Sequence, residues 1–290
     1  MSWRTVVISK RCKLDYSMNY MVVRGDDTKR VLLDEIALLM IENNAVSFTG
    51  CLLSELINKK IKVIFCDEKR NPQSELVPYY GAHNDSLKIR QQIEWSKDSK
   101  LNIWSKIVSE KIRNQSIVLE RNDKKKEAEM LKSYLTNLLP GDVSNREGHA
   151  AKVYFNAIFG KDFLRSDEDN VINSALDYGY ALILSAFNRE VSANGYMTQF
   201  GLAHENQFNH FNLSCDLMEP FRIIIDMEVM KNNYTEFSTD DKHELISILN
   251  SQYVIRDSLQ TLLNAIKIYT KSVFDALLEN KPELIKFVNI

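Results

Sequence analysis

The chain has 290 residues with 44% hydrophobic content, 37 basic and 39 acidic residues, and a formal net charge of −2. That length predicts about two domains with an apolar core large enough to fold without disulfides or a structural metal. The charge balance argues against a wholly basic nucleic-acid wrapper, so any DNA binding must rest on a local patch.

The cysteines and the apolar runs indicate the cellular compartment in which the protein is expected. The four cysteines are scattered without a CxxC pair, which is typical of reduced thiols. No apolar run approaches the ~18 residues of a membrane span, and the opening MSWRTVV lacks the apolar region of a signal peptide. We therefore expect a soluble, cytoplasmic protein with no membrane partner.

Residues 1–78 show mostly β patterns. Five runs rich in Val, Ile, Tyr and Leu predict strands, at 3–8, 20–24, 29–33, 36–41 and 61–66. The last two are almost continuously apolar, as expected of strands buried on both faces. Between them, residues 52–59 predict a short helix with Thr49 as its cap.

Residues 79–290 show helical periodicity almost throughout, after a candidate linker at 78–81. The predicted helices include one that begins near Glu147, one over 168–191 and a last one over 256–278. The chain is therefore predicted to be α+β, with a small β-rich N-terminal domain (1–78) followed by a larger all-α domain (79–290).

Among the five histidines, His204 has the most suggestive setting. A lone histidine is more often a structural polar residue than a ligand. His204, however, follows a turn at Gly201 and precedes a helix start that carries Asp216 and Glu219. At about 100° per residue, those two carboxylates and Asp226 fall on one stripe of a helix. An ordinary alternative is a capping box, in which Asp216 caps the helix and Glu219 bonds back to it.

Glu147 is a third acidic candidate. It shares one helix face with Ala151, Tyr154 and Ile158, so it is drawn toward the interior and needs a divalent cation or an Arg as partner. If Glu147, His204 and Glu219 converge, their oxygens and imidazole suit Mg²⁺ or Mn²⁺. Their spacing forms no compact signature.

Other chemistry finds no support in the sequence. P-loop, GxGxxG, GxSxG and zinc-finger motifs are absent, which removes the usual nucleotide-binding and hydrolase interpretations. Several basic clusters are present, one of them formed by Lys106, Lys111 and Arg113, and most of these clusters are expected to be solvated faces.

Three motifs nevertheless form a specific combination. They are NSALDYGY from Asn173 to Tyr180, GLxH at 201–204 and DLxExFR at 216–222. In this order, and along the whole chain, they resemble the CRISPR-associated adaptation integrase family, the DNase and integrase of spacer acquisition. The opening WRTVVISKRCKLDYSMNYMVVR is similar to the version found in type II systems.

The resemblance implies a β-sandwich-like N-terminal domain, an α-helical catalytic domain and a homodimer formed largely through the N-terminal part. It also implies a small ferredoxin-like partner that bridges two dimers. The metal ligands of the family match Glu147, His204 and Glu219, and Asp216 matches an acidic position close to the site. Two departures are a Glu where some members use Asp as last ligand, and MTQFGLA before His204.

The implied reaction is a transesterification that needs Mg²⁺ or Mn²⁺. The 3′-OH of a short DNA duplex attacks the repeat array beside its leader, with Arg222 as a phosphate contact or a support for Glu219. Two alternatives stay open. One is a metal-dependent nuclease of branched or single-stranded DNA without integration. The other is a non-enzymatic assembly protein, in which Glu147 and Glu219 are caps and His204 is a core histidine.

Overall fold

The computed structural model describes residues 4–78, 83–232 and 234–290. Its strands are β1 (Arg4–Ile8), β2 (Lys13–Ser17), β3 (Tyr20–Arg24), β4 (Thr28–Leu32), β5 (Ile36–Ile41), β6 (Ser47–Phe48), β7 (Lys62–Cys66), β8 (Pro72–Glu75), β9 (Gln252–Ile255), β10 (Ser258–Thr261) and β11 (Val288–Asn289). Its helices are α1 (Gly50–Asn58), α2 (Asp85–Ile93), α3 (Lys97–Arg121), α4 (Lys125–Thr136), α5 (Arg146–Phe159), α6 (Val171–Ala193), α7 (Asn212–Met218), α8 (Arg222–Val229), α9 (Thr239–Ser247) and α10 (Leu262–Glu279). The five predicted strands and the predicted helix after Thr49 are present, with ends shifted by at most about two residues.

The N-terminal region consists of two four-stranded sheets. One has the order β4-β3-β2-β6, and the other has the order β1-β5-β7-β8, in which β1, β5 and β7 run parallel. Leu14 and Met21 of the first sheet, Leu39 and Val63 of the second, and Leu52 of α1 belong to one buried cluster. The β-sandwich-like N-terminal domain and the α+β class are therefore confirmed.

Strand β5 joins this sandwich to the helical region. All six of its residues are buried. Because successive side chains of a strand point to opposite faces, Leu39 and Ile41 enter the core of the sandwich, while Leu38 and Met40 enter the core of the helical region. The prediction of a strand buried on both faces is confirmed, and β5 contributes side chains to the cores of both regions.

The predicted helix over 256–278 is wrong at its start. Residues 252–261 form the hairpin β9–β10, and α10 begins at Leu262, where the Thr261 side chain accepts the backbone N–H of Asn264. The turn consists of Arg256 and Asp257, both with positive φ (54° and 57°). Neither the Asn-Gly nor the Asp-Gly pair typical of such turns is present, so the sequence carried no hairpin signal.

Strand β11 also pairs with β9, so the larger region contains a three-stranded sheet and is not all-α as predicted. The predicted domain boundary after residue 78 stays a prediction, because residues 79–81 of the predicted linker lie outside the described residues. Of the helices in the described parts of the chain, none combines the length and apolarity needed to cross a bilayer.

Helix α3 lies at the centre of the helical region. It contacts α4, α5, α10 and the 3-10 turn Glu219–Phe221 that separates α7 from α8. Its buried residues include Ile103, Trp104, Ile107, Val108 and Ile112, which recur at the three-to-four spacing of a helix. The polar residues of α3 that fall on the same stripe are thereby brought into the interior.

Candidate active site

Side chains from six segments line a cavity of about 170 Å³ in the helical region, and four of these segments carry the residues described first. Helix α3 contributes Lys111 and Gln115, and the first turn of α5 contributes Glu147. The 3-10 turn contributes Glu219, and α8 follows directly with Arg222. Two of the three residues predicted as metal ligands therefore share one cavity.

Glu147 is set in place by the residues just before α5. The Asp142 carboxylate accepts the backbone N–H groups of Arg146 (2.7 Å) and Glu147 (2.9 Å), and Asn145 accepts that of Gly148. These bonds satisfy the free N–H groups of the first helical turn, so the helix begins where the sequence predicts. The Glu147 side chain, one quarter exposed, turns inward and bonds with the ammonium group of Lys111. The predicted need for a partner is met by a Lys instead of an Arg.

Glu219 is held by two cations. Its Oε2 lies 2.5 Å from Lys111 Nζ, and its Oε1 lies 2.8 Å from Arg222 Nε. Burial alone would raise the pKa of Glu219, but the charges of Arg222 and Lys111 and their hydrogen bonds outweigh it and lower that pKa to about 2. Glu219 is therefore a carboxylate at neutral pH.

The capping-box alternative for Asp216 and Glu219 is wrong. Asp216 lies inside α7, which runs from Asn212 to Met218, and its side chain has no exposed surface. Its Oδ2 accepts the backbone N–H groups of Leu202 (2.5 Å) and Ala203 (3.0 Å). Instead of capping its own helix, Asp216 organises the loop that carries His204.

The imidazole of His204 is oriented by that same carboxylate. Nδ1 forms a hydrogen bond with Asp216 Oδ1, and Nε2 is the ring nitrogen that this bond leaves for another ligand. The bond to Asp216 is the main reason that the pKa of His204 is raised, and Glu219 and Glu147 add to the effect through their charges. With 46% of its side chain exposed, His204 is not a core histidine.

The loop approaches α7 closely, and Gly201 permits this. A Cβ at position 201 would overlap the backbone oxygen of His204 and lie 2.8 Å from Asp216 Oδ2. The glycine that made His204 a candidate in the sequence is therefore needed for a close approach.

Arg222 also packs on an aromatic ring. Its guanidinium carbon lies 4.5 Å from the centre of the Tyr180 ring, a cation–π arrangement. The Tyr180 hydroxyl in turn donates to Asp226, whose burial raises its pKa to about 6. Tyr180, the last residue of the NSALDYGY motif, thus supports the cation that holds Glu219.

The donor types present suit a divalent ion. Glu147 and Glu219 converge on one point, which the Lys111 ammonium group takes, and His204 offers a nitrogen already oriented by a carboxylate. Within residues 4–78, 83–232 and 234–290, no three His, Cys, Asp or Glu side chains are grouped closely enough to hold a metal ion in this conformation. The chemistry of the donors fits the ion, but Lys111 takes its place between the carboxylates.

Sequence reasoning missed Lys111 and Gln115. Lys111 belongs to one of the basic clusters, most of which were expected to be solvated, but it is 8% exposed, and Gln115 is 3% exposed. The signal was available, because Lys111 follows Ile107 by four residues and Val108 by three. A charged residue on the apolar stripe of a long helix is a candidate for a buried ion pair.

The Cas1 family model, described as CRISPR associated protein Cas1, matches residues 5–250. The chain belongs to the Cas1 family. It is 32% identical over 269 residues to the CRISPR-associated endonuclease Cas1 of Neisseria meningitidis serogroup C (strain 8013), a match that covers 90% of this chain and 88% of that protein. The family predicted from the three motifs is thereby confirmed.

Solved structures agree on the fold. A casposase bound to integration product matches 97% of this chain and 92% of its own, with a TM-score of 0.76 at 18% identity. A Cas6-RT-Cas1–Cas2 complex matches 97% of this chain with a TM-score of 0.74 at 16% identity, and the match spans 36% of the longer chain in that complex. At these identities the similarity establishes the shared fold.

Proposed function

We propose that this Cas1 family member is a divalent-metal-dependent DNA integrase and endonuclease of CRISPR spacer acquisition, in a type II-like system. It joins the 3′-OH ends of short duplex DNA into the leader-proximal repeat by transesterification. The observation that carries the proposal is the convergence of Glu147 and Glu219, from two separate segments, on one cationic centre in a cavity. Family membership and the names of the endonuclease and casposase relatives support it.

Glu147, His204 and Glu219 are the residues proposed to hold Mg²⁺ or Mn²⁺ and to be catalytic. The ion, when bound, polarises the scissile phosphate and stabilises the leaving oxygen. Asp216 orients His204 through Nδ1, so that Nε2 is presented to the ion. No Ser, Tyr or Cys nucleophile is required, because the DNA 3′-OH attacks directly.

The charge of the cavity favours a phosphodiester once an ion is bound. Its lining has as many acids as bases, namely Glu147, Glu219 and Asp226 against Lys111, Arg165 and Arg222. A bound divalent ion therefore leaves an excess of positive charge in the cavity. Arg222, with 27% of its side chain exposed, can contact a DNA phosphate while it holds Glu219.

The proposed assembly supplies the DNA surface that a chain of net charge −2 lacks. We propose a homodimer formed largely through the N-terminal sandwich, with a small ferredoxin-like partner bridging two dimers. Basic patches on several chains then line up along one duplex. The name of the similar Cas1–Cas2 complex supports such a partner.

The test uses the purified chain, its small partner, a labelled short duplex with 3′-OH ends and a supercoiled plasmid that carries a leader–repeat. Reactions contain Mg²⁺, Mn²⁺ or EDTA, and His204→Ala is compared with wild type. The exposed His83 provides a matched control, His83→Ala. We expect metal-dependent transfer of label to the plasmid, lost in His204→Ala and retained in His83→Ala.

Each other outcome has a defined meaning. Plasmid cutting without joining would favour the nuclease without integration. If wild type and His204→Ala are both inert, although folded and bound to the partner, the chain is a non-enzymatic assembly protein. Joining that persists in EDTA would overturn the metal requirement.

A further inference from the structure

Lys111 takes a position that the proposed metal ion also needs. Its ammonium group bonds with Glu147 and lies 2.5 Å from Glu219 Oε2, so one cation satisfies carboxylates from two segments. The Lys111 side chain is 10% exposed and that of Glu219 is 5% exposed, so water screens this contact little. An ammonium group and a divalent ion placed against these same oxygen atoms repel each other and compete for the same lone pairs, because both are positively charged and both require direct contact.

We propose that Lys111 is a built-in competitor of the divalent ion, which must displace the ammonium group from between Glu147 and Glu219 in order to bind. This inference rests on the proposed function, because it takes these two carboxylates as metal ligands. Without the ion, Lys111 holds the two carboxylates together and compensates their charge. With the ion, the same charge opposes binding, so Lys111 sets the metal affinity as a positioning residue.

The displaced ammonium group has an acceptor within the same cavity. Gln115 lies one helical turn beyond Lys111 on α3, lines the cavity and is 3% exposed. Its Oε1 is buried and has no hydrogen-bond partner within the described residues. A buried acceptor without a partner is costly, and an ammonium group on a flexible four-carbon stem can satisfy it. The carboxylate of Asp226 lines the same cavity and attracts the same charge.

The experiment measures Mn²⁺ affinity directly, without DNA, from the electron paramagnetic resonance signal of free Mn²⁺. Lys111→Met removes the charge and keeps much of the apolar stem. Lys111→Arg keeps the charge on a planar guanidinium group, which can form two parallel hydrogen bonds with one carboxylate. Lys106→Met is the matched control, because Lys106 is an exposed lysine on the same helix. Glu147→Gln tests whether the measured ion is at this site.

We expect Lys111→Met to bind Mn²⁺ about tenfold more tightly than wild type, since a nearby positive charge is removed. Lys111→Arg is expected to bind about tenfold more weakly, because its two-pronged contact is harder to displace. Lys106→Met should match wild type, and Glu147→Gln should lose most of the binding. In EDTA, Lys111→Met should melt below wild type and recover with Mn²⁺, because the ion then replaces the lost charge.

An affinity of Lys111→Met equal to or below that of wild type would overturn the inference. If Lys111→Met does not fold, Lys111→Arg is the deciding variant. Mn²⁺ binding by Lys111→Arg as tight as that of wild type would then overturn the inference. Wild-type Mn²⁺ affinity in Glu147→Gln would show that the ion binds elsewhere, and would overturn the metal site of the proposed function as well. Conversely, the expected affinity shifts without any DNA joining would overturn the proposed integrase and leave the role of Lys111 standing.

Discussion

Asp216 holds His204 at two points. Its Oδ1 contacts both the backbone N–H of His204, at 3.3 Å, and the ring nitrogen Nδ1. The carboxylate, which has no exposed surface, thereby fixes both the path of the chain and the direction of the imidazole. Their separation in sequence is short, 12 residues, but the pairing depends on the fold of the loop at 201–204.

The first prediction concerns this pairing. Asp216→Asn removes the negative charge. It also places an amide NH₂ group, which can only donate, opposite backbone N–H groups that need an acceptor. We expect DNA joining to fall about 10–100-fold and the free energy of unfolding to fall by about 1–3 kcal/mol. Joining rates and urea melts measure the two effects. Asp162→Asn changes an exposed acid and should alter neither the joining rate nor the free energy of unfolding. Full activity in Asp216→Asn would contradict the orienting role.

The second prediction concerns the glycine beside that pair. In Gly201→Ala, the new methyl group would overlap the backbone oxygen of His204, so the loop must move away from α7. We expect joining to be lost and stability to fall by about 1–3 kcal/mol.

Gly50 provides the matched control for Gly201→Ala. A Cβ at Gly50 meets no atom within 4 Å, so Gly50→Ala should be neutral or slightly stabilising in the same melts and joining assays. Equal behaviour of the two variants would show that the close approach at Gly201 carries no cost.

The third prediction concerns Arg222. Arg222→Ala removes both the 2.8 Å bond to Glu219 and the contact with the Tyr180 ring. We expect DNA joining to drop about 10–100-fold. Arg222→Lys keeps the charge without the planar fork and should recover only part of the activity. Initial rates with labelled duplex measure this, and full integration activity in Arg222→Ala would refute the role.

The fourth prediction concerns pH and Glu190, which is not among the residues that line the cavity. Burial raises the pKa of Glu190, whose side chain is 6% exposed, and Arg189, 3.5 Å away, opposes this only in part. A carboxyl group with a raised pKa in the folded state stabilises the fold at low pH. That contribution is lost as pH rises through the folded pKa. Glu190→Gln should therefore gain stability relative to wild type as pH rises.

Thermal melts between pH 5 and pH 8 test this. We expect Glu190→Gln to melt above wild type at pH 8, by about 2 °C, and the difference to shrink toward pH 5. Glu94→Gln, at an exposed position, should track wild type throughout. A difference in melting temperature that grows as pH falls would contradict the raised pKa of Glu190.

Local patterns in the sequence determined much of the architecture. The apolar run 36–41 predicted a strand buried on both faces, and Thr49 predicted the start of a helix; both are present in the fold. These features depend on neighbouring residues, through side-chain alternation and capping, so a linear pattern suffices. The hairpin with Arg256 and Asp257 in its turn was not predicted, because the turn lacks the Asn-Gly or Asp-Gly pair that marks such hairpins in a sequence.

Only the tertiary structure decided how the candidate site is assembled. The sequence picked out Glu147, His204 and Glu219, but Lys111, which joins two of them, lies 36 residues from Glu147 and 108 from Glu219. Which face of α3 meets α5 and the 219–221 turn follows from packing across the whole helical region, and no local periodicity encodes it. Helical spacing places Lys111 on a buried stripe, whereas its partners are determined by the segments that the fold brings against that stripe.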